Sequence, residues 1–223
     1  MNDDKFDCEL LRPVEYITEP DPRTSCYSKQ LVHFHRDVSS LKLNDNVPQN
    51  IVIQFETTKN LYLYGWFIYR FYTVSEHHAL ACLEFALYSR YRKTIPKNKY
   101  FPKHKEPGLQ ALLQYAIDLN DIKNEEFETW RKITFNKARS RYKHNKSQEM
   151  HEKGLNQIEL DYDKVEVEEE DKDWNYVQVL NEILPRRRND HAHGSDKLDS
   201  FHSPLHTIQI VSEVINQIYS NKP

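Results

Sequence analysis

Glycine is scarce: only 4 occur in 223 residues, at Gly65, Gly108, Gly154 and Gly194. Sheet proteins rich in tight turns, and doubly wound folds with phosphate loops, ordinarily need more, because glycine supplies the left-handed backbone those turns use. The scarcity favours helices. Cysteine is scarcer still. Cys8, Cys26 and Cys82 are odd in number and lack metal-ligand spacing, so they point to a reducing cytosol and ordinary packing. No apolar run is long and uncharged enough to span a bilayer. The acidic opening Met1-Asn2-Asp3-Asp4-Lys5 has no apolar run that would mark a signal peptide. The expectation is a cytoplasmic protein with no membrane segment. Excess charge is missing too: 31 Lys and Arg against 34 Asp and Glu leave −3 at pH 7. No global field draws a polyanion to such a chain, so RNA would have to find a local basic patch.

What is present is a chain long enough to bury a real core, as one domain with elaborations or with a small appendage. Its 14 Tyr give that core polar handles that need partners. Residues 1–46 mix Pro13, Pro20 and Pro22 with short apolar pieces such as Val14-Glu15-Tyr16-Ile17, which predicts an irregular leader with room for a strand. Asn46 is a candidate cap for a helix opening near Pro48. From there Ile51, Phe55, Leu61, Tyr62, Trp66, Tyr69 and Tyr72 recur every three to four positions, the pattern of one long amphipathic helix. A second helix follows with Thr73 or Ser75 as cap, carrying Leu80, Leu83 and Leu87 as a stripe. Ala79, Ala81 and Ala86 let a neighbour come close. Residues 93–107 are basic and hold three prolines, a loop; Gly108 to Ile117 is a short third helix.

The stretch from 124 to about 158 is helical in pattern but very polar, with Arg131, Lys132, Lys137, Arg139, Arg141, Lys143 and Lys146 making it basic. An acidic run from Asp161 to Asp173 follows. Such a run is ordinarily a solvated loop; the sharper alternative has it covering the basic helix until RNA displaces it. Trp174 to Leu184 is a further helix, which Pro185 should disturb or restart. Pro204 to Tyr219 is the last, with Ser203 as cap and Leu205, Ile208, Val211, Val214, Ile215 and Ile218 facing inward. The sum is an all-α bundle of four or five helices, with a polar helical insertion at about 121–173.

The stretch richest in chemistry is Arg188-Asn189-Asp190-His191-Ala192-His193-Gly194. An arginine is a permanently charged fork for phosphate oxygens, and a histidine exchanges protons near neutral pH. Taken as spacing alone, the pair is more often an arginine bridging to a carboxylate and a histidine capping or filling a helix corner. The heptad nevertheless closely resembles the signature of HEPN domains, the higher eukaryotes and prokaryotes nucleotide-binding family. Their pattern is an arginine, four to six residues, then a histidine, often with a polar residue directly after the arginine. Here Asn189 takes that polar place, and four residues separate Arg188 from His193. Ala192 and Gly194 also resemble bacterial members, as do Ala79 to Arg90, Gly108 to Ala116 and Val211 to Tyr219. The likeness covers residues 47–223 apart from the insertion, and leaves 1–46 outside.

What the resemblance implies is a helical bundle that forms a homodimer with both copies of the motif facing one cleft. Many members are metal-independent endoribonucleases of toxin–antitoxin, abortive-infection and defence systems, some controlled by an antitoxin or other partner protein. Others bind nucleotides, RNA or proteins without catalysis. If active, His193 would serve as general base on the 2′-hydroxyl or as acid toward the leaving 5′-oxygen. Arg188 would hold the scissile phosphate and stabilise its growing charge, and Asn189 would steady the arginine or the phosphate. The product would be a 2′,3′-cyclic phosphate, and no cofactor or metal is required.

Neighbouring residues are candidates of lower rank for RNA contact: Arg186, Arg187 and His191 beside the motif, with Arg139 and Arg141 on the basic helix. Arg186 and Arg187 also fit the looser family spacing, so Arg188 as the principal arginine is a choice. His202 and His206 with His191 and His193 are too irregularly spaced for zinc. Asp190 suits a helix cap or an arginine partner. Glu84 is either a buried partner for the motif arginine or a solvent-facing position. The aromatic run from Tyr62 to Tyr72 could stack bases, although at helical spacing it is more often core.

Overall fold

The computed structural model describes residues 7–24, 29–194, 198 and 200–220; the opening residues Met1 to Lys5 and Cys26 lie outside them. Among the described residues there are eight α-helices and no strand, the all-α class that the lack of glycine favours. They are α1 (Leu31–Ser39), α2 (Gln49–Tyr64), α3 (Phe71–Tyr91), α4 (Lys97–Tyr100), α5 (Leu109–Asp118), α6 (Glu128–Glu152), α7 (Tyr176–Ala192) and α8 (His202–Ser220). The chain divides into two compact units, one comprising 1–122 and 181–223 and the other 123–180.

In the larger unit α3 is the central rod, packed chiefly against α2 and α8 and then against α5. Its sequence explains this. Tyr72, Ala79, Leu80, Cys82, Leu83, Ala86, Leu87 and Tyr91 are all buried, too wide an arc for one neighbour and right for a helix enclosed on several sides. The fully buried Ala79 and Ala86 have no bulk to hold another helix away. α8 presents Ile208, Val211, Val214, Ile215 and Ile218 to the same core, as their spacing predicts.

The long helix read from residue 48 to Tyr72 is broken. α2 ends at Tyr64, a corner follows, and α3 starts at Phe71. A distant residue holds the corner open: Asp21 accepts from the Tyr69 amide at 3.2 Å and donates its own amide to the Trp66 carbonyl at 3.0 Å. Burial raises the cost of charging Asp21, yet its carboxyl is held below the usual range by bonds from Arg23 and the Tyr69 amide. Gly65 lies at this corner because a Cβ there would meet the Tyr72 ring at 2.6 Å. Tyr62, Tyr69 and Tyr72 of the aromatic run are core, while Tyr64 is exposed: Tyr62 and Tyr72 are 5.4 Å apart edge to face, and Phe34 of α1 reaches Trp66 at 5.4 Å and Phe201 at 4.9 Å.

Three local expectations shift. The leader forms short 3-10 turns at Val14–Tyr16 and Pro22–Thr24 and then α1, rather than a strand. Pro48, not Asn46, precedes the first residue of α2. Ser75 lies buried inside α3 and bonds the Tyr72 carbonyl, and Ser203 sits in the first turn of α8, so neither is a cap. A fourth concerns Pro185. α7 runs through it without a break from Tyr176 to Ala192, because a proline deletes one helical N–H but the rest of the ladder survives.

The smaller unit is built on α6, whose buried residues are only Trp130, Thr134 and Ala138. The Trp130 indole donates to the Trp174 carbonyl at 3.0 Å, and Phe127 meets Tyr176 edge to face at 5.2 Å. The thin apolar face agrees with the polar sequence of this stretch.

The corner makes one direct prediction. Gly65→Ala forces a methyl into the buried Tyr72 ring and should cost about 1–3 kcal/mol, the usual penalty for overpacking. Urea denaturation reads it, and an unchanged midpoint would contradict the close approach.

Candidate phosphate-handling site

Consecutive residues on a helix point about 100° apart, so the arginines of α7 do not act as one patch. The structure splits them between two carboxylates two turns apart on α3. Arg187 Nη1 lies 2.5 Å from Glu76 Oε1, and Arg188 Nε lies 3.0 Å from Glu84 Oε2. The undecided position Glu84 is therefore a partner of the motif arginine. Arg186 is exposed and has no ion pair among the described residues.

Glu76 is the more deeply held, with a side chain 1% exposed. Thr207 Oγ1 of α8 donates to it at 2.6 Å, Ser203 Oγ lies at 3.4 Å, and His191 Nε2 of α7 lies at 3.5 Å. One carboxylate thus gathers α3, α7 and α8. Burial pushes its pKa up, but the bonds from His191 and Thr207 and the charge of Arg187 outweigh that and hold it at about 2. His191, whose side chain is 9% exposed, is accordingly a buried member of this tie, far from a free base in solvent. His77, 6.2 Å from His191 ring to ring, is lowered by burial and by the neighbouring positive groups. His206 is lowered by burial and by Arg187, with Glu76 opposing.

Arg188 faces a cleft of about 530 Å³, which it lines together with Asn189, Glu84, Lys99, Tyr100 and His104. Its Nη1 lies 3.4 Å from Asn189 Oδ1. Five N–H groups radiate from a guanidinium, and these two contacts leave others for a phosphate oxygen. The geometry suits an anion: a cation steadied by one carboxylate and one amide, at the rim of an open polar space.

His193 is the residue directly after α7. Its amide continues the helical ladder to the Asn189 carbonyl at 3.0 Å, and Gly194, with a φ of +82°, then turns the chain out of the helix. The glycine of the motif is thus a left-handed stop, a conformation that any side chain would strain. The His193 imidazole is exposed and has no hydrogen bond or ion pair among the described residues. It does not line the cleft. Within one chain the structure brings Arg188 and Asn189 together and leaves His193 apart.

Arg139 and Arg141, the α6 candidates for RNA contact, are already engaged inside the smaller unit. Arg141 is held by Glu168, by Glu170 at 3.1 Å, by Asp171 at 2.8 Å and by the Glu166 carbonyl at 2.9 Å. Arg139 lies 4.1 Å above the Tyr162 ring. The acidic run does cover part of the basic helix. Among the described residues no three His, Cys, Asp or Glu side chains converge as a metal-ligand set, and no helix is long and apolar enough to cross a membrane.

Sequence reasoning missed Glu76 as the partner of Arg187 and His191, and missed Asn181, Gln114 and Asp118 near the cleft. Glu76-His77-His78 beside an apolar stripe was the available signal for the first; nothing local marks the others. Compared with protein-family models, curated proteins and solved structures, the chain matches none of them.

Two outcomes follow from these contacts. Glu76 has a folded pKa below its ordinary 4.5, so its stabilisation is complete above pH 4.5 and is lost as pH falls toward 2. Glu76→Gln should therefore lower stability at pH 7 by roughly 3 kcal/mol, the low end for a broken buried pair because Arg187 is part-exposed. It should also flatten the acid limb between pH 4.5 and 2, measured by denaturant melts across that range; a parallel curve would remove the assignment. Arg141→Ala should release the segment around Glu168, seen as faster amide exchange at Glu168 and Asp171, and unchanged exchange would deny the clasp.

Proposed function

We propose that this chain is a HEPN-like helical module that acts on RNA, cleaving the phosphodiester backbone without a metal. The observation that carries the reading is Arg188 with Asn189 at the rim of a polar cleft, with an uncommitted His193 imidazole one turn further on. In this reading Arg188 takes the scissile phosphate and stabilises the negative charge that grows on its oxygens. His193 removes the proton of the 2′-hydroxyl, which attacks the adjacent phosphorus. The bond to the 5′-oxygen breaks, that oxygen takes a proton, and a 2′,3′-cyclic phosphate remains.

Positioned proton transfer is worth about 10²–10⁴-fold, so the phosphate contacts must supply the remainder. Because His193 stands apart from the cleft of its own chain, the reading places the dyad across a homodimer, with each histidine serving its partner's phosphate. An antitoxin or defence partner would then act by holding that pair closed or apart.

A second reading is favoured by a different observation. Glu84 already engages Arg188, and Glu76 engages Arg187 and His191; cations so well partnered suit a module that binds RNA or a nucleotide and leaves it intact.

One assay separates the two. Purified protein with total RNA in EDTA should cut it, His193→Ala should fall by at least about 10²-fold, and Arg188→Ala should lose both cutting and RNA retention. Retention without cutting in the parent supports the second reading. Equal cutting by parent and His193→Ala removes the first.

A further inference from the structure

The cleft beside Arg188 has a floor with a fixed polarity. Asn181 of α7 is 3% exposed and lines the cleft, yet its Oδ1 has no hydrogen-bond partner. Its Nδ2 donates to Gln114 Oε1 at 2.8 Å, and Gln114 Nε2 donates in turn to Asp118 Oδ1 at 2.8 Å. Amides can ordinarily flip to suit their neighbours, but this series cannot. An ionised carboxylate only accepts, so Asp118 compels Gln114 to turn its NH2 toward it and its oxygen toward Asn181. Asn181 must then offer Gln114 its NH2, which leaves Oδ1 over. Asp118 is kept ionised by Lys99 at 2.8 Å and the Tyr100 hydroxyl at 2.7 Å on its other oxygen. Those bonds and the one from Gln114 hold its carboxyl at about 2.

An unserved buried acceptor is costly, and one on a residue that lines an open cleft calls for a ligand that can donate an N–H. The remaining walls narrow its identity. Tyr100 and Phe101 supply flat rings, while Arg188 and Lys99 supply positive charge, within about 530 Å³. That volume lies within the range for a small-molecule site.

We propose that this cleft is a nucleobase subsite selective for bases with an exocyclic amine, an N–H of the amine serving Asn181 Oδ1 while Arg188 takes the adjoining phosphate. The proposal rests on the reading of Arg188 as a phosphate group and deepens it by naming the part of the nucleotide that is read. Asn181 contacts the base; Gln114 and Asp118 are positioning residues that set which end of the Asn181 amide faces it.

The test compares adenosine 5′-monophosphate with purine riboside 5′-monophosphate, which differs only in lacking the amine, by calorimetric titration of the full chain. The amine-bearing nucleotide should bind about tenfold tighter, the upper value of one net hydrogen bond. Asn181→Leu should abolish the difference. Asp118→Asn, which touches no ligand, frees the amide series to turn over and should abolish or reverse the preference while both nucleotides still bind through Arg188. A merely structural Asp118 would weaken both nucleotides alike. Equal affinity of the two nucleotides for the parent protein, or a preference that survives both substitutions, overturns the subsite. Failure of either nucleotide to bind, in protein that still cuts RNA, overturns the subsite and leaves the cleavage reading standing. An amine preference in protein that cuts no RNA does the reverse.

Discussion

One buried carboxylate organises the candidate site of this molecule. Glu76 accepts from α7 through Arg187 and from α8 through Thr207, with Ser203 and His191 close by. A carboxylate with a 1% exposed side chain survives as an anion only when its lone pairs are filled, and here α7 and α8 fill them. The consequence reaches beyond stability. Fixing Arg187 inward fixes the rotation of α7 about its axis, and that rotation turns Arg188 toward Glu84 and Asn181 toward Gln114. The two motif-like residues Arg187 and His191 are thus spent on orientation, leaving Arg188 and Asn189 for a ligand.

The same logic runs through the cleft. Its cations are each held by a carboxylate, Arg188 by Glu84 and Lys99 by Asp118, so the positive groups are placed before any anion arrives. A site arranged this way loses little on binding, because its side chains are already ordered. In the proposed reading the net charge of −3 is then no obstacle to a polyanion. What matters is the local field at the rim of the cleft; within the smaller unit Glu168, Glu170 and Asp171 are occupied with Arg141.

Much of the architecture was legible in the chain. Apolar spacing marked α5 and α8 closely, and the Leu80, Leu83 and Leu87 stripe marked α3, whose full buried arc only the structure shows. The errors have common causes. The aromatic period ran unbroken from Ile51 to Tyr72, so nothing local announced the corner at Gly65; the reason for it, Asp21, lies more than 40 positions earlier. Pro185 suggested a break that the surrounding ladder absorbs. At the site, the composition of the heptad pointed to Arg188 and Asn189, which do share a cleft edge. It could not show that His191 turns inward or that His193 sits past the end of α7, since one residue of helix termination changes where a side chain goes. Glu84 was visible as a candidate partner, whereas the Asp118–Gln114–Asn181 series joins α5 to α7 across more than 60 positions and leaves no trace in spacing.

The central claim is that Arg188 and His193 act on a ribose-linked phosphate by way of its own 2′-hydroxyl. The most direct measurement is product analysis on a short RNA with one defined cleavage site, beside the same strand carrying a single 2′-deoxynucleotide there. The account predicts a 2′,3′-cyclic phosphate from the first and an intact bond in the second. Cleavage of the deoxy-substituted bond at the same rate would contradict it.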